Sequence, residues 1–350
     1  MLNLRCLAPF WVRRGRIAAA EVPLNEKPLG GLRNKLLVSL VLGLVVFAGL
    51  SLYADLPKLL ESLRDFAWPL VPAILTLTMA NYLLRLVKWH YYLGQIGVAG
   101  MARVDSGLLF FSGLAMTVTP GKVGEWLKSY LLRELMGTPF ARSAPIIIAE
   151  RLTDGVAMLL LASSGLLAYG YGWQVLLVVL LGAAAVVYVS QHRAAARRLA
   201  AVARRVPFLA RRLELLRSFY ESSHVLFRPK NLALAIALGL VSWFGECLAF
   251  YLVLLGLGLP AGPLLLLQAT FILATATLVG SVSMLPGGLA AAEGSIAGLL
   301  LLLAVTREPA VAAAATLLIR FCTLWFGVSV GVVALLLFAP RLARRGVRLD

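Results

Sequence analysis

Pro120-Gly121-Lys122-Val123-Gly124-Glu125 cuts through the middle of an apolar region that runs from about residue 106 to 136. A second motif, Pro286-Gly287-Gly288 with Glu293 following, does the same to the region from about 264 to 304. Proline removes a backbone donor and ends a helix. In hydrocarbon, the backbone groups so released must be satisfied by protein or by a water-lined cavity. A carboxylate at such depth costs a few kcal/mol even on lenient insertion scales. A chain that carries this combination twice, in similar surroundings, is using both places.

Working outward, the 350 residues are 61% hydrophobic with a mean hydropathy of +0.88, against about 45–50% apolar residues in soluble domains. This composition predicts an all-α, polytopic integral membrane protein. The formal charge of +17 raises nucleic acid as a partner. The basic residues lie between apolar spans rather than on a soluble domain, so they read as topology signals and contacts with anionic headgroups. The three cysteines and three histidines are scattered, which implies neither a disulfide framework nor a metal site. No cofactor is expected.

Spans of about 20 apolar residues are expected near 34–53, 69–88, 143–169, 174–190, 232–256 and 311–338. The halves of the two interrupted regions hold only about 12–18 residues each, short for a full crossing. They predict re-entrant helical hairpins. The positive-inside rule then puts every basic cluster on one side. These clusters are the tail of residues 1–33, the segment with Arg85, Lys88 and Arg103, the 191–230 loop with ten Lys or Arg, and the tail of residues 339–350. Both termini are expected in the cytoplasm, with the protein in the cell (inner) membrane. A later start codon is the alternative for residues 1–30. The result is one transmembrane domain over 34–338, made of halves at about 34–170 and 174–338 in an inverted-topology repeat, an architecture common among secondary transporters. Counting each hairpin as two crossings satisfies the charge rule equally well. Within 191–230, apolar residues at three- and four-residue spacing between arginines predict a basic amphipathic helix pair on the cytoplasmic leaflet. A plain tethering loop is the alternative.

Several polar residues inside apolar surroundings are candidates for headgroup binding. After Pro120 and Gly121 a helix restarts, and its amide end attracts anions. Lys122 and Lys128 add positive charge, and Glu125 stands three residues before Lys128, within pairing reach. The alternative is a structural kink with snorkelling lysines. Glu150, Arg151 and Asp154 open the next span. Arg151 and Asp154 can pair along the helix, and the cluster lines a substrate path, handles protons, or clamps this helix to the hairpin. Arg85 and Lys88, beside Trp89, Tyr91 and Tyr92, read first as interface anchors and second as headgroup ligands. Ser283, Pro286, Gly287, Gly288 and Glu293 form the mirror motif, with no lysine after it. The hairpin near Pro120 is thus expected to be cationic and the other not. Glu246 is expected to pair with Arg320. Glu125, Glu293 and Asp154 are candidates for coupling to protons.

These residues carry a family resemblance. Arg85-x-x-Lys88-Trp89, Thr119-Pro120-Gly121-Lys122-Val123-Gly124-Glu125 with Lys128, Glu150-Arg151-x-x-Asp154, and Pro286-Gly287-Gly288 with Glu293 resemble, in this order, the flippase-like membrane domain of lysylphosphatidylglycerol synthases. That domain also occurs alone in many bacterial and archaeal proteins. The resemblance covers about 34–338. It implies movement of a phospholipid, or of a polyprenyl-linked headgroup, between leaflets. About a dozen residues follow the last span, so the resemblance is to the stand-alone form, without the soluble aminoacyl-transferase domain and without lysyl transfer. Ala290 stands where the motif would hold glycine. The leading expectation is therefore a non-enzymatic lipid flippase or transporter, in which an oligomer is allowed. A membrane enzyme of lipid or lipid-linked glycan synthesis, or an accessory subunit, is the alternative.

Overall fold

The computed structural model describes residues 55–98, 100–119, 125–169 and 213–344, with isolated positions between 41 and 49 and between 177 and 191. The expected spans 34–53 and 174–190 fall almost wholly outside the described residues. So do Pro120, Gly121, Lys122 and most of the 191–230 loop. Every regular element among the described residues is helical. In chain order these are α1 (Leu56–Arg64), α2 (Val71–Gln95), α3 (Arg103–Ser112), α4 (Leu127–Met136), α5 (Phe140–Tyr169), α6 (Leu213–Leu226), α7 (Pro229–Gly256), α8 (Pro263–Val282), α9 (Ala291–Leu302), α10 (Pro309–Arg320) and α11 (Phe326–Arg344). Among the described residues four stretches are long and apolar enough to cross a membrane: Trp68–Gln95, Pro229–Gly256, Pro263–Val282 and Pro309–Arg344.

Both Pro-Gly motifs lie between helices. The first separates α3, extended by a 3-10 turn at Gly113–Met116, from α4. The second separates α8 from α9, with a 3-10 turn at Pro286–Gly288. Side chains satisfy part of the released backbone, as a low dielectric requires. The Thr119 hydroxyl donates to the Met116 carbonyl at 2.7 Å, and the Ser283 hydroxyl donates to Gly280 at 2.8 Å. The two breaks are unequal in their first arms. At 20 residues α8 reaches about 30 Å, enough for a crossing, whereas α9 has 12 residues. The expectation of two short halves thus fails for α8, because the apolar run continues unbroken to Val282.

Short connections and cross-element bonds fix which ends lie together. Arg142 Nε donates to the carbonyl of Ile96 at 2.9 Å, Asn231 Nδ2 donates to Gln95 at 3.2 Å, and Arg341 pairs with Asp105 at 3.0 Å. The end of α2, the starts of α3, α5 and α7, and the end of α11 therefore share one end of the bundle. At the opposite end Ala67 N–H donates to Gly256 O at 2.9 Å, and the start of α10 packs on α1. The α3–α4 pair leaves and rejoins the first end. The α8–α9 pair leaves and rejoins the second.

Packing repeats when the halves are exchanged. Helix α5, which follows the first break, packs on α8; helix α11, at the corresponding place in the second half, packs on α3 and its 3-10 extension; α2 and α7 pack on each other. Close approach permits this. A Cβ on Gly331 of α11 would lie 2.1 Å from the backbone nitrogen of Ala115, the small-residue contact expected where apolar helices gain nothing by leaving water. Two apolar cores flank the crossing, one centred on α7–α10 and the other on α2–α5 with Phe338 and Leu342.

Two expectations change here. The span near 69–88 continues to Gln95, and Trp89 and Tyr92 are fully buried. They are core residues of the second cluster rather than interface anchors. The segment before that span holds α1, which packs on α10.

Ala290 adopts φ 69° and ψ −47°, left-handed space in which a Cβ clashes with the following carbonyl. Ala290→Gly is expected to raise stability by about 1 kcal/mol, read as a higher unfolding midpoint in detergent. Gly288→Ala, with φ 68° and a Cβ placed 3.0 Å from Gly280 Cα, should lower it.

Candidate functional site

The two breaks face a common cavity of about 140 Å³. Its wall draws on α2, α3, α4, α5, α7, α8, α9, α10 and the stretch between α10 and α11. Among the expected site residues, Arg85, Glu125, Lys128, Arg151, Gly287 and Gly288 line it. Glu150, Asp154 and Glu293 stand behind as partners of the lining charges, and Lys88 pairs in turn with Asp154. Ser283 is occupied with the backbone of its own break, and neither it nor Pro286 lines the cavity.

Each of these charges finds its partner on another element. Lys88, buried at 1% exposure, donates to Asp154 Oδ1 and, at 3.4 Å, to the Thr153 hydroxyl. Lys128 Nζ donates to Glu150 Oε2 at 2.5 Å while sitting 4.9 Å from the Trp89 ring centre. Arg151 reaches Glu125 at 2.6 Å. Arg320 Nε donates to Glu293 Oε1 at 2.5 Å, and its second nitrogen donates to the carbonyl of Gly287 at 2.7 Å. These pairings replace three expected ones. Glu125 does not pair with Lys128, nor Arg151 with Asp154, nor Glu246 with Arg320. Pairing along one helix would leave the charges of the neighbouring helices uncompensated in the interior, at several kcal/mol each. The clamp between α5 and the first break, the alternative to a binding role for these charges, is present. Lys88 is no interface anchor.

The two breaks carry equivalent pairs. Glu125 binds Arg151, the twelfth residue of α5, and Glu293 binds Arg320, the twelfth of α10 (151 − 140 = 320 − 309 = 11). The second break is therefore cationic too. It takes its cation from the next helix, which corrects the expectation that only the first break carries positive charge. In three pairs the guanidinium is the more exposed member: Arg85 at 14% against 1% for Asp154, Arg151 at 34% against 8% for Glu125, and Arg320 at 15% against 4% for Glu293. Arginine faces the cavity with its carboxylate behind it, and the planar guanidinium can offer paired donors to a carboxylate or phosphate.

Some contributors are invisible to motif reading. Tyr82 donates its hydroxyl to the carbonyl of Thr323 at 2.6 Å, a group inside the π-helical turn Phe321–Trp325. Trp243 lies under the Arg85 guanidinium at 5.7 Å, and among the described residues its ring nitrogen has no acceptor. Ser242 donates to Asn81 Oδ1 at 3.1 Å, and Asn81 Nδ2 donates to Glu246 Oε1 at 2.5 Å. Asn81, Arg85 and Lys88 stand at four- and three-residue spacing on one face of α2, a signal that was available in the sequence. Among the described residues no three metal-ligating side chains gather.

Residues 40–331 match the family described as "Lysylphosphatidylglycerol synthase TM region". The chain belongs to this family. It is also similar to a UPF0104 membrane protein of Methanothermobacter thermautotrophicus, at 31% identity over 137 residues, which are 37% of this chain and 37% of that protein. It is similar to the glycosyltransferase AglD of Haloferax volcanii at 24% identity over 150 residues, 41% of this chain and 24% of the other. The matched stretch is thus well under two thirds of either relative.

Removing one partner of a buried ion pair leaves an uncompensated charge. Lys128→Met and Glu150→Leu are each expected to cost about 3 kcal/mol, and the double variant should cost much less than their sum. Chemical unfolding of the three variants in one detergent gives the cycle.

Proposed function

We propose that this protein is a lipid flippase or lipid transporter that moves an anionic phospholipid or a lipid-linked headgroup between leaflets. One observation carries the reading: two helix breaks from opposite ends of the bundle open onto a single cavity into which Arg85, Arg151 and Arg320 point, each backed by a carboxylate. A headgroup phosphate fits such a site, while the acyl or prenyl tails remain in lipid. In this reading both broken pairs are re-entrant, and the halves rock against each other about the cavity to expose it alternately. Their exchange-symmetric packing supports this. The protein sits in the cell membrane with its basic segments, including residues 191–230, toward the anionic cytoplasmic leaflet. Pro120, Gly121 and Lys122, between Thr119 and Glu125 in the sequence, belong to the same site. So do Glu150, Asp154 and Glu293, which pair with the cavity-facing cations, and Lys88, which pairs with Asp154.

The relative named as a glycosyltransferase favours a second reading, a role in lipid-linked glycan synthesis. The cavity would then serve to present a polyprenyl-linked substrate.

Proteoliposomes with fluorescent phosphatidylglycerol, phosphatidylethanolamine or a short polyprenyl phosphate separate these readings. Faster equilibration of a phosphate-bearing lipid between leaflets by the wild type, reduced at least tenfold by Arg85→Ala or Arg151→Ala, is the expected outcome. Equal rates for wild type, variants and empty liposomes with every lipid would overturn the transport reading.

A further inference from the structure

Glu246 differs from every other carboxylate around the cavity. Glu125, Glu150, Asp154 and Glu293 each touch a cation on another element. Glu246 is only 6% exposed, lines the cavity, and among the described residues makes no ion pair; its hydrogen-bond donor is the neutral amide of Asn81. The repeat sharpens the contrast. Trp68–Gln95 and Pro229–Gly256 are equivalent spans of 28 residues. Arg85 and Glu246 both stand 17 residues beyond their first residue (85 − 68 = 246 − 229 = 17), and Asn81 and Ser242 both stand 13 beyond it. The same position thus carries a cation in one half and a carboxyl in the other, on either side of the cavity.

We infer that Glu246 is a proton-binding site coupled to occupancy of the cavity: its carboxylate takes up one proton from water as a phosphate-bearing headgroup settles against Arg85, and returns it when the headgroup leaves. This rests on the reading of the cavity as a headgroup site. The groups facing Glu246 are few. Helix α2 presents Tyr82 and Arg85, α5 presents Asp154, and α10 presents Arg320. On α7 itself Cys247 is adjacent. Helix α8 has no ionisable residue. Helix α6 meets α7 around Asn231, fifteen residues and so about 22 Å along the axis from Glu246.

When the cavity is empty, the Arg85 and Arg320 guanidiniums offset the Glu246 charge at a distance. An arriving phosphate competes for that same field. Two anions then share a small, water-poor space, where like charges at close range cannot both persist. Protonation of Glu246 removes the conflict and leaves a neutral carboxyl that can donate to a phosphate oxygen. Linkage is reciprocal: if the anion promotes protonation, protons promote anion binding. Affinity therefore rises as pH falls, by up to about tenfold per pH unit for one coupled proton. The buried carboxylates already tied to lysine or arginine lack this freedom. This moves the proton-coupling role from Glu125, Glu293 and Asp154, where sequence reading put it, to Glu246.

The test is isothermal titration of the purified full-length protein at pH 6 and pH 8, in two buffers of different ionisation enthalpy. The ligand is short-chain phosphatidylglycerol, with inorganic phosphate in a parallel arm to separate a lipid headgroup from free phosphate. For the wild type, the dissociation constant should rise at least tenfold from pH 6 to pH 8, with close to one proton taken up per ligand at the higher pH. Glu246→Gln, a fixed neutral stand-in, should bind equally at both pH values and without proton uptake, while Glu246→Asp keeps the dependence. Wild-type binding that is indifferent to pH, or a dependence that survives in Glu246→Gln, overturns the inference and leaves the headgroup site standing. Absence of binding by the wild type and Glu246→Gln at either pH overturns both.

Discussion

A charge that cannot reach water must meet its opposite inside the protein, and in this bundle each such meeting joins two different elements. Lys88 on α2 and Lys128 on α4 both bind carboxylates of α5. Arg151 reaches back to the first break, and Arg320 does the same at the second. Burying these pairs is costly compared with packed hydrocarbon, so stability alone does not account for them. They define a register in which two broken helices, several turns from any aqueous end, come to face the same small space. The apolar cores on either side supply packing, but apolar packing in lipid tolerates sliding. The ion pairs do not.

Exchange of the halves maps Glu125–Arg151 onto Glu293–Arg320, and Asn81 onto Ser242. At the position of Arg85 the second half carries Glu246. A structure built from two like halves binds like groups in each. This mismatch puts a guanidinium on one wall of the cavity and, on the other, a carboxyl with no ion pair among the described residues.

Much of the architecture could be read from residues. Composition set the all-α membrane class. Pro120 and Pro286 marked both breaks, because proline and glycine deep in an apolar run release backbone groups that lipid cannot satisfy. The clusters at Arg85–Lys88 and Glu150–Asp154 were visible for a similar reason, as charges set in hydrocarbon. Their partners were not. Spacing along one helix suggested Glu125 with Lys128 and Arg151 with Asp154, since i,i+3 contacts are the only ones a single sequence displays. Arg320 looked like the partner of Glu246, since both are isolated charges in late spans. Only the fold shows that Gly287 and Glu293 lie beside Arg320, whereas Asn81 lies beside Glu246. The length of α8 was misjudged because the proline and glycines come after its last turn rather than at its centre. Ala290 was recognisable as the odd member of its motif, and the backbone there has the geometry that glycine would relieve.

The wide π-helical turn at Phe321–Trp325 has an effect beyond its contact with the Tyr82 hydroxyl at the Thr323 carbonyl. In an unbroken α-helix, residues eleven apart, such as Arg320 and Gly331, would look out on nearly the same side. One additional residue in the winding offsets the lower half of the rod by roughly 100°. The last span can thereby aim its arginine inward while pressing a bare backbone against the opposite half of the molecule. Two tasks with conflicting bearings are reconciled by a phase shift within one continuous helical stretch.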